Sequence, residues 1–245
     1  VFPTSFAQQR LLFLDQLEPD SPFYNIPQAI SLKGPLNVPA LRSTLLEIVR
    51  RHETLRTTFA VRDGDAVQSV TKNATLKLPL IDLTVLPESE RADEASRLAN
   101  EEAARPFDLK TGPLVRARLL ILGADDHVLL FTMHHVVSDG WSMGVLFHEI
   151  GAIYEALANG EASPLPDLPI QYADYAVWQR QWLAGETLEN QIVYWKTKLA
   201  GAPPTLDLPT DKPRPAIQQF QGAKHVRQLP LALTESLKQL ALDNG

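Results

Sequence analysis

The sequence predicts a mixed α/β fold, and two observations carry that prediction. Stretches with strand-like and helix-like periodicity alternate along the chain, and an apolar strand near its middle runs through a polar loop directly into an amphipathic helix. The 245 residues can hold one large domain or two small ones, enough for a sizeable core.

Residues 5–17 (SFAQQRLLFLDQL) predict a helix capped by Ser5, with Phe6, Leu12, Phe13 and Leu17 at helical spacing. A short strand follows at 29–33, closed by Gly34-Pro35, and 38–51 is helical again, with Leu41, Leu45, Ile48 and Val49 on one face. Two β-prone runs, 57–62 and 66–71, flank Asp63-Gly64 and predict a hairpin. Residues 76–83 read as a strand and 88–105 as a charged, alanine-rich helix that turns Ala95, Leu98 and Ala99 inward.

Two strands, 114–122 and 127–133, follow, and the second leads into MHHVVSDGW (133–141). Beyond it Ser142 can cap a helix to about Ala158, striped by Met143, Leu146, Phe147, Ile150, Ile153, Tyr154 and Leu157 and ended by Asn159-Gly160. A proline-rich connector occupies 163–169, helical patterns occupy 171–183 and 188–199, and PPTLDLPTDKPRP (203–215) reads as an extended linker. One strand, 223–229, and one helix, 233–243, complete the chain. No internal repeat is present.

Hydrophobic residues make up 44% and charged residues 21%, an ordinary globular balance. The net charge of -6 gives no electrostatic reason to expect nucleic acid or an anionic membrane as partner. The longest apolar runs, such as 128–131, fall far short of the roughly 20 residues a transmembrane helix needs. No secretion signal is visible, and a cytoplasmic location is expected. The chain starts at Val1 rather than Met, which suggests a piece of something longer. With no cysteine there is no disulfide, thiolate metal site or cysteine nucleophile.

MHHVVSDGW holds two of the six histidines side by side. Adjacent strand residues point to opposite faces, so His134 and His135 do not easily share one metal ion, and no HExxH-like companion supplies further ligands. No metal site is assigned. The same alternation turns one histidine to the core and the other to the opposite face or a cleft, where a neutral imidazole is suited to taking a proton from a nucleophile. Asp139, if held near the strand end by the turn at Gly140, could orient an imidazole or anchor the loop through an arginine. The residues alone leave catalysis and hydrogen-bonded packing both open. No GxSxG elbow, phosphate loop or dinucleotide fingerprint occurs.

Four stretches taken together resemble the condensation domains of nonribosomal peptide synthetases. SFAQQRLLFL (5–14) is similar to the family's first motif, RHETLRTTF (51–59) to its second, MHHVVSDGW to its HHxxxDG signature, and YADYAVWQ (172–179) to its fourth. The form of the first motif is similar to that of domains joining an L-configured donor to an L-configured acceptor.

The resemblance implies a chloramphenicol acetyltransferase-like α/β sandwich lobe, two of which form a V around an active-site channel. On that basis residues 1–170 are expected to form the N-terminal lobe with the HHxxxDG motif. Residues 171–218 would be a helical and proline-rich connector, and 219–245 the beginning of a C-terminal lobe whose remainder is missing, leaving the fragment inactive alone. The implied reaction is peptide-bond formation, in which a carrier-bound acceptor amine attacks a carrier-bound donor thioester. Both substrates arrive on phosphopantetheine arms of donor and acceptor carrier proteins, beside an adenylation domain, with no cofactor held by the chain itself.

Carried over to this sequence, His135 meets the reacting amine, His134 supports the loop, and Asp139 points away and pairs with Arg56. Gly140 lets a pantetheine arm pass. Arg10 reads as a helix-surface arginine, His52 and Glu53 as packing and capping, and Tyr172, Tyr175 and Trp178 as core. His127 and His148 receive no role. A non-catalytic carrier-binding module and an acyltransferase acting on a free amine are the competing readings.

Overall fold

The computed structural model describes residues 1–73, 75–206, 208–213 and 225–244. In chain order its first elements are β1 (Phe2–Pro3), α1 (Phe6–Leu17), β2 (Asn25–Lys33), α2 (Val38–Arg51), a 3-10 turn (Glu53–Arg56), β3 (Thr57–Arg62), β4 (Asp65–Val70) and β5 (Leu80–Asp82). There follow α3 (Glu88–Ala104), β6 (Val115–Gly123), β7 (Asp126–His134), α4 (Gly140–Ala158), α5 (Tyr172–Trp182), α6 (Gly185–Lys198) and α7 (Leu231–Asn244). The chain divides into two compact units, 1–201 and 202–245.

In the first unit β2, β7, β6 and β5 form a four-stranded sheet in that order, antiparallel except for the parallel β5–β6 pair. Alternation along β6 and β7 supplies a core on each face. Leu119, Leu129, Phe131 and Met133 enter the larger core with residues of α1, α2 and α4. Leu120 and Leu130 join Leu83, Ala95 and Leu98 beneath α3. Both faces are therefore covered, which is why β7 reads as a near-continuous apolar run. The expected 57–62/66–71 hairpin forms as β3 and β4, and β1 adds to its edge.

The starts of α1 and α2 follow capping chemistry. The Ser5 hydroxyl accepts the Gln8 N–H at 3.2 Å while the Gln8 side chain accepts the Ser5 N–H at 2.9 Å, closing a reciprocal box at α1. Asn37 accepts the Ala40 N–H at 3.0 Å and so caps α2.

Several expectations are corrected. α1 buries Gln8, Leu11 and Leu12, while Phe13 and Leu17 lie exposed, because the box draws the Gln8 side of the helix inward. The strand expected over 76–83 contracts to β5 behind Pro79, which has no N–H to donate to a ladder. α4 begins at Gly140, two residues before Ser142, and its cap is Asp139.

Tyr172, Tyr175 and Trp178 are not core. α5 buries the opposite stripe, Ala173 and Ala176, whose small side chains let the helix approach β1 closely. The aromatics form an exposed ladder that continues to Trp182, with centroids 5.4 to 5.8 Å apart. Helical spacing defines a stripe without saying which stripe is buried.

In the second unit α7 is the one regular element among the described residues. Of the linker expected over 203–215, residues 203–206 and 208–213 carry neither helix nor strand, and 207, 214 and 215 lie outside the described residues. Of the strand expected over 223–229, residues 223 and 224 lie outside the described residues, and 225–229 form no strand. No helix among the described residues is long and apolar enough to cross a membrane.

Candidate functional site

The site grows from the C-terminal end of β7. The ladder to β2 ends by pairing His134 with Asn25, but the His135 N–H still donates to the Tyr24 carbonyl at 2.8 Å, so strand geometry persists one residue further. Alternation then sends Met133 and His135 to the face covered by α2 and α4 and His134 to the other. His134 is 3% exposed, its ring lies 6.3 Å from Tyr24 and 6.2 Å from Phe107, and its Nδ1 accepts the Val136 N–H at 3.1 Å. Burial, with a smaller contribution from the neighbouring His135, pushes its pKa down to about 4. It is thus a neutral ring with its proton on Nε2. His135 is exposed and lines a cavity of about 470 Å³.

The loop after the pair is held at both ends. The Val137 N–H donates back to the His134 carbonyl at 3.0 Å, and the Asp139 carboxylate accepts the Ser142 N–H at 2.8 Å and its hydroxyl at 2.6 Å. The Ser142 hydroxyl and N–H, acting in that order, hold the Asp139 carboxyl below its ordinary value. Asp139 therefore does not pair with Arg56. It is drawn into the N-terminus of α4, where a carboxylate meets unsatisfied amides. Arg56 instead donates to Glu53 Oε1 at 3.1 Å and to the Thr71 carbonyl, bracing the turn into β3. A Cβ placed on Gly140 would meet nothing within 4 Å, so open space lies beside that backbone.

The second and fourth motifs frame the same cavity. Gln171 donates to the Arg51 carbonyl at 2.9 Å and accepts the Glu53 N–H at 3.1 Å, fixing the start of α5 against the end of α2. The Tyr172 hydroxyl lies 3.0 Å from the Ser5 hydroxyl, and Gln179 accepts the Phe6 N–H at 3.0 Å, tying α5 to α1. Arg10 lies exposed on α1 and lines the cavity.

Sequence reasoning missed one cluster. Buried Glu149, in α4, meets Arg51 Nε at 3.1 Å and His52 Nε2 at 2.6 Å, and His52 lines the cavity. The helical period already placed Glu149 beside Leu146 and Ile153 on the inward face of α4, and that position was its available signal. His127 is buried with Nδ1 lacking a hydrogen-bond partner, whereas His148 is exposed. Among the described residues no cluster of three or more histidines and carboxylates is placed to hold a metal ion.

The α/β lobe thus carries His135 one residue past the end of its central strand β7, open to the cavity. The condensation domain model matches residues 1–245, and the chain belongs to that family. One of the linear gramicidin synthase proteins of Brevibacillus parabrevis is 51% identical over 243 residues, 99% of this chain and 3% of that protein. Phosphinothricin tripeptide synthetase PhsC of Streptomyces viridochromogenes is 46% identical over 243 residues, 99% of this chain and 22% of that protein.

Among solved structures, the X-domain of teicoplanin biosynthesis in complex with OxyB matches with a TM-score of 0.76 and 33% identity, over 88% of this chain and 47% of that one. The starter condensation domain of rhizomide synthetase matches with a TM-score of 0.74 at 23% identity, over 83% of this chain and 48% of that one, which shows the fold. The chain thus spans about half of these solved chains and a small part of the curated relatives.

Proposed function

We propose that this chain contributes the histidine-bearing lobe of a peptide-bond-forming condensation domain. One observation carries the reading: of the HHxxxDG pair, His135 alone faces the cavity, while His134 is locked into the scaffold through Val136. The acceptor amine attacks the donor thioester carbonyl, a C–N bond forms, the C–S bond breaks, and the proton lost by nitrogen ends on the departing thiol. His135 meets the amine at the cavity rim, as base or as hydrogen-bond partner. His134 and Asp139 support it, the one under the strand end and the other at the helix cap. Arg56 braces the turn into β3, and Gly140 leaves room for a passing arm.

Donor and acceptor arrive on phosphopantetheine arms of carrier proteins, next to an adenylation domain in the cytoplasm, and both are L-configured. Residues 1–170 act as the N-terminal lobe, 171–218 as its connector, and 219–245 open a second lobe. The identity to synthetase proteins over nearly the whole chain supports the carrier-protein and adenylation-domain partners.

The test is a condensation assay on the full-length protein that carries this chain, with loaded donor and acceptor carriers. Dipeptidyl product that disappears in His135→Ala supports the reading, and undiminished product in that variant overturns the role of His135. A second reading, a non-catalytic partner-binding module, draws on the likeness to an X-domain solved in complex with OxyB. Under it the full-length protein gives no product and retains a stable complex with its partner.

A further inference from the structure

The C-terminal end of α3 is tied to both neighbours of β7. The carbonyls that close a helix have no partner within it. From β2, the Asn25 side chain donates through Nδ2 to the Ala103 and Arg105 carbonyls, both at 2.8 Å. From β6, Arg116 donates to the same Arg105 carbonyl at 2.7 Å and to that of Pro106 at 3.0 Å, and it is paired with buried Glu102. Carbonyl oxygens only accept, so the nitrogen of the Asn25 amide has to face them. Its Oδ1 is buried with no hydrogen-bond partner among the described residues, so Nδ2 alone makes the tie.

β2 is an edge strand of its sheet and starts at Asn25, so that end has β7 on one side and no strand on the other. The residue before it, Tyr24, offers the carbonyl that accepts the His135 N–H at 2.8 Å. Resting on the reading that His135 meets the amine, we infer that Asn25 is a positioning residue for condensation. It fixes the Tyr24 peptide against the end of α3, and the Tyr24 carbonyl fixes the backbone from which the His135 ring reaches the cavity. The hold runs through the backbone of β2 rather than through the His134 ring. A His135 ring displaced on the ångström scale leaves the carriers bound and meets the amine off line, so the loss falls on kcat and not on KM.

Asn25 is half-buried, and its substitution is compatible with folding. In the full-length protein, Asn25→Ala removes both bonds, while Asn25→Asp keeps the shape and turns a carboxylate towards two carbonyl oxygens. Per folded molecule, kcat is expected to fall by roughly 10- to 100-fold in Asn25→Ala and further in Asn25→Asp, with KM for both loaded carriers within about a factor of two of the parent. Amide exchange followed by mass spectrometry gives a readout that a merely stabilising tie would not move. Residues 133–139 should exchange faster in both variants, while β6 and the body of α4 keep parental rates.

Parental kcat per folded molecule in Asn25→Ala overturns the inference, as does unaltered exchange over 133–139. Should Asn25→Asp not fold, Asn25→Ala decides the matter alone. A parent protein that makes no dipeptidyl product removes the condensation reading instead, and the exchange comparison then shows by itself whether Asn25 holds the His135 backbone.

Discussion

The Nδ1 of His134 accepts the N–H of Val136 at 3.1 Å, a bond that turns one ring of an adjacent pair into scaffold and leaves the other for the cavity. Because a protonated imidazole has no acceptor nitrogen, that bond exists only while His134 is neutral.

Stability should therefore depend on pH through His134. Burial lowers its folded pKa from 6.5 to about 4, so the unfolded ring takes up a proton well before the folded one. Its contribution is fully present above pH 6.5 and is lost as the pH falls through the window down to about 4, at a full extent of roughly 3 kcal/mol. The urea midpoint should drop across that window, and it should drop less in His134→Asn, whose side-chain oxygen can still accept from Val136. Identical pH slopes for the two proteins would show that this ring does not titrate as described.

Asp139 acts as a helix cap, so its loss should cost what a cap costs. Asp139→Ala is expected to lower stability by about 1 kcal/mol, and Asp139→Asn, which keeps an accepting oxygen, by a few tenths. Arg56 bonds Glu53 and the Thr71 carbonyl, so a double-mutant cycle between Arg56 and Asp139 should give additive losses. A coupling above roughly 1 kcal/mol would restore the ion pair that the family resemblance led us to expect.

Glu149 joins α2 to α4 beneath the cavity by accepting from both Arg51 and His52. Glu149→Ala leaves a buried guanidinium without its carboxylate, which should cost about 3–5 kcal/mol in chemical denaturation. Glu149→Gln keeps an oxygen for His52 and should lie well below that cost. A neutral Glu149→Ala would mean that Arg51 finds another anion or water in the folded state.

The sequence made the four-stranded sheet and the flanking helices legible because burial on both faces writes apolar runs and helical stripes directly into composition. It also made the separation of His134 from His135 legible, since strand alternation needs only adjacency. Two features stayed hidden for a common reason, namely that they depend on partners distant in sequence. The outward ladder of Tyr172, Tyr175 and Trp178 follows from Ala173 and Ala176 being the closer-packing stripe against β1, and nothing in the spacing of α5 chooses between them. The Arg51–Glu149–His52 cluster joins residues about a hundred positions apart. Arg56 and Asp139 each found nearer partners, Glu53 and Ser142, than the one expected.

The division of labour between the two histidines yields the sharpest test. His135→Ala removes a ring that is exposed, so its thermal midpoint should stay within about a degree or two of the parent, in keeping with the small effects of surface substitutions. Turnover in the condensation assay should nevertheless fall by roughly 10²- to 10⁴-fold, the span of a lost acid–base group. His134→Ala should show the reverse order of effects. It removes a buried ring from between Tyr24 and Phe107 and frees the Val136 N–H, so unfolding should come at distinctly lower temperature. The activity that remains should track the folded fraction. If instead His134→Ala abolished turnover in a fully folded protein while His135→Ala did not, the assignment of the cavity-facing ring to the amine would be reversed.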